Sequence, residues 1–524
     1  MNRTISLTNT VCGIALVLSL LACSSIPGCS NADPQTSGDV TLPDGISTRL
    51  ASDDRAGWLR DRTIEDNRDL LERYRPLTEG KFRKMASSPY NYFRGTANIY
   101  LRDMTQPGFH AFPTSYGTPE SSHVLLVGDP HPENIGTFRT SDDRMAIDFN
   151  DFDGSTYGSY HLDVRRLALG FYVLGELNAE VLSPEQRAAM VRGVVQGYVD
   201  EIARQSAGEE TSFVYERGLG QRQAGLILGD LIRRAERDGD IREELDEYAP
   251  LADDRQSRHM FYGVFEESDV DGVIRDELVE PTHEERARVE QWMRAYHNTL
   301  VNKELVAGGE DALHIKGVSR RLGAGVSSYP VQRYYVLTEG ESESLEDDLL
   351  LEIKEILDPP PLDGLPAFGL REFGSNGERV VRAQRALQHT DANDPLLGWS
   401  TPSDASPLSV RIRHRTKYQK GVDVARISEE LADGEITPED VIELATRSGI
   451  LLAASHARTK TLQGKPALEV IDAALSKDMA GFVDESTSFV EAYGPSTLED
   501  FDRFRAMVIL HGTTLGYRFD RPME

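Results

Sequence analysis

The sequence predicts an α+β protein with a predominantly helical larger part and a smaller sheet-containing part. Apolar residues recur at helical spacing from about Trp58, short β-branched runs occur at Val124–Val127 and Met145–Phe149, and further strand-like runs cluster between residues 311 and 420. The chain has 524 residues, 39% of them hydrophobic, and its three cysteines (Cys12, Cys23, Cys29) all lie near the N-terminus. The body must therefore rest on core burial rather than on disulfides.

At the N-terminus, Arg3 precedes an apolar run, Val11–Ala22, that is too short for a permanent bilayer-spanning helix and reads as a signal peptide over residues 1–22. The run ends in Leu20-Leu21-Ala22-Cys23, which resembles the bacterial lipobox; that resemblance implies lipidation of Cys23. Cys29 is a second candidate, and an ordinary signal peptide cut nearby is the alternative. Residues 23–50 are rich in Ser, Pro, Gly and Asp without periodicity and read as a flexible tether. The expectation is an exported protein held at a membrane by its lipid. A formal charge of −29 speaks against nucleic acid or an anionic lipid surface as partner and leaves a local basic pocket open.

Residues 51–310 read as mostly helical. Leu70, Leu71 and Tyr74 recur at helix spacing, and within KFRKMASSPYNYFRGTANIYLRDM the residues Tyr92, Phe93, Ile99 and Tyr100 read as core. Arg94, a charge among aromatics, is either a phosphate ligand or a guanidinium satisfied by backbone carbonyls. The most informative stretch is HVLLVGDPHPENIGTFRTSDDRMAIDFNDFDGSTYGSYHLDVRRLALGF. Its first strand ends in a Gly-Asp-Pro turn and its second follows a loop, so that Asp129, Asn134 and Asp148 are delivered to strand ends. A helix begins near Leu162, with Leu167, Phe171 and Leu174 along the same face and Asp163 near its start. Asp151 and Asp153 are either turn-forming or supporting residues. An EF-hand is excluded because Phe152 occupies a position that needs a ligand, and the further Asp-x-His and Gly-Asn-His motifs of metallophosphoesterases are not found.

Residues 311–420 read as the sheet-containing part. In HIKGVSRRLGAGVSSYPVQRYYVLTEGE, two strands flank a glycine loop in which Gly323, Gly325 and Ser328 stand at Gly-x-Gly-x-x-Gly spacing. LLLEIKEIL is a third strand carrying Lys354, GERVVRAQRALQ a helix, and Val410–Arg415 another strand. The runs EGESESLEDD and DPPPLDGLP read as solvated loops. A helix from about Pro438 to Arg458 and further helices over 421–524 complete the larger part.

The spacing of Asp129, Asn134, Asp148 and Asp163 resembles the catalytic segment of aminoglycoside phosphotransferases and choline-kinase-like enzymes. That resemblance implies a two-lobed protein-kinase-like fold and a role for each residue. Asp129 is the base that orients and deprotonates an acceptor hydroxyl, Asn134 and Asp148 hold magnesium, and Asp163 hydrogen-bonds the catalytic loop from behind. His131, Asp151 and Arg94 support the loop. Gly323, Gly325 and Ser328 cover the nucleotide phosphates, and Lys354, partnered by Glu378 or Gln384, neutralises them. Kinases place the glycine loop before the catalytic Asp, whereas here Lys354 follows Asp129 by more than two hundred residues, which implies circular permutation.

The segments KMASSPYNYFRG, GDPHPENIGTF, DFNDFD, LDVRRLA, EIKEI, RVVRAQRALQ and SHART, in that order, resemble the bacterial family called domain of unknown function 2252, over roughly residues 55–520. The implied function is phosphotransfer from ATP, with magnesium, to the hydroxyl of a small molecule. The space beyond the inner membrane normally lacks ATP, so a binding module for a phosphorylated or anionic ligand, without turnover, is the alternative. Metal-dependent phosphoester hydrolysis is a third reading.

Overall fold

Apolar residues at i, i+3 and i+4 build four helices at the start of the body in the computed structural model: α1 (Arg55–Arg73), α2 (Arg75–Met85), α3 (Pro89–Gly95) and α4 (Ala97–Met104). The structure describes residues 54–104, 114–239, 241–266, 276–301, 314–340, 342, 344–359, 372–389, 394–401, 403 and 407–519. The leader, Cys23 and the tether at 23–50 lie outside them. Ser88 ends the approach to α3 as a cap, its hydroxyl accepting the Asn91 amide at 3.1 Å. Leu59, Leu71, Phe82 and Tyr92 of these helices pack on Phe501 and Phe504 from near the other end of the chain.

Short strands follow: β1 (Val124–Leu125), β2 (Ile135–Arg139), β3 (Met145–Phe149) and β4 (Tyr157–Gly158). β1 pairs with β4, and β2 and β3 form a small antiparallel sheet with β5 (Val214–Tyr215). Between β4 and β5 run α5 (Tyr160–Leu177) and α6 (Pro184–Ser206), the latter started by a capping box of Ser183 and Gln186. α5 is buried on nearly every side, as its run of Leu, Val, Ala and Phe dictates. Next come α7 (Gly220–Gln223), α8 (Leu226–Asp238) and α9 (Ile241–Tyr248).

The second half of the chain adds β6 (Gly263–Glu266), β7 (Asp276–Val279), α10 (His283–Tyr296), β8 (Ile315–Leu322), β9 (Arg333–Thr338), β10 (Leu349–Glu355), α11 (Asn376–Leu387), β11 (Gly398–Ser400) and β12 (Val410–His414). Seven strands form one sheet in the order β11-β12-β10-β9-β8-β7-β6, antiparallel throughout. The boundary expected at residues 310 and 311 therefore moves upstream, because β6 and β7 extend the sheet and Trp292 and Tyr296 of α10 pack on Tyr334, Ile353 and Ile412. β6 (GVFE) and β7 (DELV) are each four residues long, too short to show the apolar alternation that reveals a strand from sequence.

Four helices close the chain: α12 (Val424–Asp433), α13 (Pro438–Ala457), α14 (Ala467–Leu475) and α15 (Met479–His511). Leu444, Leu451 and Leu452 of α13 share the largest core with Val191, Val194 and Tyr198 of α6 and with Leu167 and Leu174 of α5. Glycine permits the close crossing of α6 and α13, since a Cβ on Gly449 would stand 1.9 Å from the Val194 carbonyl oxygen. The fold is thus α+β, with a helical core and a separate core on the sheet. Among the described residues no helix is long and apolar enough to cross a membrane.

Candidate functional site

A cavity of about 570 Å³ gathers residues from both parts of the chain. One wall is the loop after β1. Gly128 takes φ +95°, and a Cβ there would lie 2.0 Å from the Gly154 carbonyl oxygen, so glycine alone lets this loop lie against the turn that follows β3. Asp163, in the first turn of α5, accepts the Val127 amide at 2.7 Å and the Gly128 amide at 3.2 Å. His456 Nε2 stands 3.2 Å from the same carboxylate, and its Nδ1 lies 2.9 Å from the Tyr198 hydroxyl. Since a carboxylate only accepts, Nε2–H of His456 donates to Asp163.

Asp129 follows at the cavity surface. Its Oδ1 accepts from Arg166 Nε at 2.8 Å, and Arg166 also donates to the Phe93 carbonyl at 2.7 Å while its guanidinium lies 3.7 Å from the Phe93 ring centre. Burial pushes the Asp129 carboxyl up from its ordinary pKa, against the pull of Arg166. Asn134 joins the two loops, its Nδ2 donating to the backbone oxygens of Asp129 and Asp151, each at 3.1 Å. His131 packs edge-on against Phe93, and burial, then Arg94 and Arg166, hold its imidazole well below the usual range, so that it is neutral at pH 7. Arg94 lines the cavity but is bound to Glu133 at 2.5 Å, a carboxylate where the sequence suggested phosphate or carbonyls.

Lys354 arrives from β10, 2% exposed, and meets Asp153 at 2.6 Å and Asp151 at 3.4 Å. Neither sequence-level partner is there: Glu378 is held by the Gly374 amide and Arg382, and Gln384 by Gln388. Burial alone would raise Asp151, but Lys354 and then Arg411 override it and hold it well below the carboxylate range. Burial and the Asp151 charge push Asp153 up, against Lys354. From behind, Arg379 of α11 donates to the backbone oxygens of Asp153 and Ser155 and fixes this turn.

Asp148 requires a correction. It was expected on the metal, yet it is 1% exposed, its Oδ1 accepts the Phe149 amide at 2.8 Å and its Oδ2 the His389 amide at 2.8 Å. It does not line the cavity. β3 is buried along its whole length, and the residues that turn into the cavity come after it, at Asn150, Asp151 and Asp153.

The glycine loop spans the β8–β9 connection, with Gly323 at φ +76° and Gly325 at φ +83°. Gly325 and Ser328 line the cavity and Gly323 does not; the Ser328 hydroxyl accepts from Arg333 at 3.2 Å. The solvated-loop reading of the acidic run also fails at Asp348, which is buried and paired with Lys316 at 2.5 Å, and Asp358 of the Pro-rich run lines the cavity.

Sequence reasoning missed Arg166, Arg333, Arg411 and Arg413. Its one available signal was the alternation in VRIRHR, which puts Arg411 and Arg413 on one face of a strand. The donors Asp151, Asp153 and the Asn134 amide oxygen are hard oxygens of the kind magnesium takes, and Asp153 Oδ1 is buried without a partner among the described residues. Among these residues no three His, Cys, Asp or Glu side chains form a cage for a metal by themselves. Magnesium uses one or two carboxylates together with substrate phosphates, which these residues fit.

No curated protein and no solved structure matches the chain. A family model does match, over residues 73–507, a span that takes in the loop of Asp129, the turn of Asp151 and Asp153, the glycine loop and Lys354. The chain belongs to the family described as an uncharacterized protein conserved in bacteria, domain of unknown function 2252.

Proposed function

We propose that this cavity is a kinase-like site that transfers a phosphoryl group, with magnesium, from ATP to the hydroxyl of a small molecule, on a lipid-anchored exported protein. The observation that carries the reading is the meeting of Lys354 with Asp151 and Asp153 beside the Asp129–Asn134 loop, across 203 residues of sequence. The arrangement of β8, glycine loop, β9, β10, α11, β11 and β12 supports a permuted kinase-like order, with the lysine on the third strand and a helix as the next element among the described residues.

In this reading the acceptor oxygen attacks the terminal phosphorus, the bond to the bridging oxygen breaks, ADP leaves, and the hydroxyl proton passes to Asp129. Arg166 fixes the orientation of that carboxylate, and Asp163 fixes the loop that bears it. Lys354 neutralises phosphate charge once released from Asp153. Asp151, Asp153 and Asn134 would hold magnesium, which would supply positive charge to offset that of the phosphates. The ion pair between Asp129 and Arg166 favours a second reading, a site that binds a phosphorylated ligand without turnover.

Thermal unfolding of the full chain in detergent with magnesium and ATP tests the reading. At a hundred times its dissociation constant a ligand stabilises by about 2.7 kcal/mol. That shift should vanish in Asp151→Asn and Lys354→Met but persist in Asp148→Asn, whose loss is one of fold stability. A shift that Asp151→Asn and Lys354→Met leave intact, or none at all, sinks the kinase-like site; a shift without product in an acceptor screen supports the binding module.

A further inference from the structure

The sheet wall of the cavity carries more positive charge than a single phosphate-neutralising lysine supplies. In the register of β9, β10 and β12, Lys354 lies opposite Arg333 on one side and opposite Arg411 on the other, and Arg413 follows two residues on, on the same face. All four line the cavity. Strands are spaced about 4.8 Å apart, so the row from Arg333 to Arg411 covers roughly 10 Å.

The row is only partly neutralised. Arg411 and Arg413 share Glu352, at 2.9 and 3.0 Å, and Arg333 has the Ser328 hydroxyl at 3.2 Å. Arg411 is 1% exposed, and its Nε and Nη1 are buried with no partner among the described residues. Unmet donors on a buried guanidinium are costly, and a planar fork of N–H groups fits the oxygens of a phosphate. A nucleoside base gains most from flat aromatic faces on which to stack. Phe138 is the one phenyl ring among the described lining residues, and no tyrosine or tryptophan lines the cavity there.

We infer that the wall formed by Arg333, Lys354, Arg411 and Arg413 recognises a bare chain of phosphates, so that the ligand class of this site is a linear oligophosphate whose binding does not depend on a nucleoside base. The inference rests on the kinase-like reading of the same cavity and narrows what fills it.

Calorimetric titration of the full chain in detergent with magnesium tripolyphosphate, magnesium ATP and adenosine separates the two. Tripolyphosphate should bind within about tenfold of ATP, adenosine should not compete, and Arg333→Gln and Arg411→Gln should each weaken both phosphate ligands by about tenfold or more. Arg333→Gln, at a part-exposed position, carries the test by itself where Arg411→Gln fails to fold. ATP binding about a hundredfold tighter than tripolyphosphate, with adenosine competing, overturns the inference and leaves the kinase-like reading standing. Tripolyphosphate binding that neither substitution weakens also overturns it, and absence of binding by both phosphate ligands overturns the inference and the kinase-like reading together.

Discussion

Lys81 shows what burial does to one charge. Lys81 is 5% exposed and lines the cavity, and its ammonium donates to Asn67 Oδ1 at 2.7 Å. Burial lowers its pKa from 10.5 to about 8, against the attraction of Asp66. Below pH 8 folded and unfolded chains both carry the proton, and the cost of burying the charge is at its full value. Between pH 8 and 10.5 the unfolded chain still holds a proton that the folded chain has released, so on this residue's account stability rises with pH across that window. Lys81→Met should therefore raise the Tm at pH 7, and its advantage over wild type should shrink from pH 8 to 10.5. A difference that stays constant over a pH series of thermal unfolding would show that burial does not lower the pKa of this lysine. Nothing in the sequence around Lys81 announced its burial, since KFRKM reads as an ordinary polar helix end.

Elements were more legible. α5, α11, α13 and β3 stand within two residues of where the sequence puts them, because their signals are local: apolar spacing along each element and Pro438 at the first helical position of α13. How α13 meets α6 was not legible. Gly449 in a helix reads as a weak point until the Val194 carbonyl is seen beside it. Gly449→Ala would improve intrinsic helix propensity yet force the two helices apart. It should cost about 1–3 kcal/mol, read from denaturant unfolding, and a stabilised variant would refute the close-contact account.

For the whole molecule, the joint between the ends of the described chain is a buried charge cluster. Arg55 of α1 holds Asp103 at 2.6 Å and Asp500 of α15 at 2.5 Å, and Tyr493 donates to Asp103 at 2.8 Å. Arg55 and Asp103 are 1% and 0% exposed. Arg55→Met takes the shared guanidinium from two buried carboxylates, leaving Asp500 with Arg503 at 2.7 Å and Asp103 with the Tyr493 hydroxyl, and should cost about 3–5 kcal/mol in urea unfolding. Adding Asp103→Asn and Asp500→Asn should recover part of that loss; if the triple variant is no more stable than the single one, the penalty does not come from uncompensated charge. Ends brought together in this way suit the permuted order proposed for the site, since a permutation needs adjacent termini.

The sequence by itself determined the mixed α+β class, most of the helices, the loop of Asp129 and Asn134 and the strand of Lys354, because each is encoded by residues close in the chain. Only the tertiary structure decided which aspartates meet Lys354, that Asp148 is a buried acceptor of backbone amides, that β6 and β7 extend the sheet, and that Arg333 and Arg411 flank the lysine. Alternation along a strand separates two faces but names the cavity face only when one face is polar. β3 is buried on both, and the partners of Lys354 lie some two hundred residues away, where no local rule reaches.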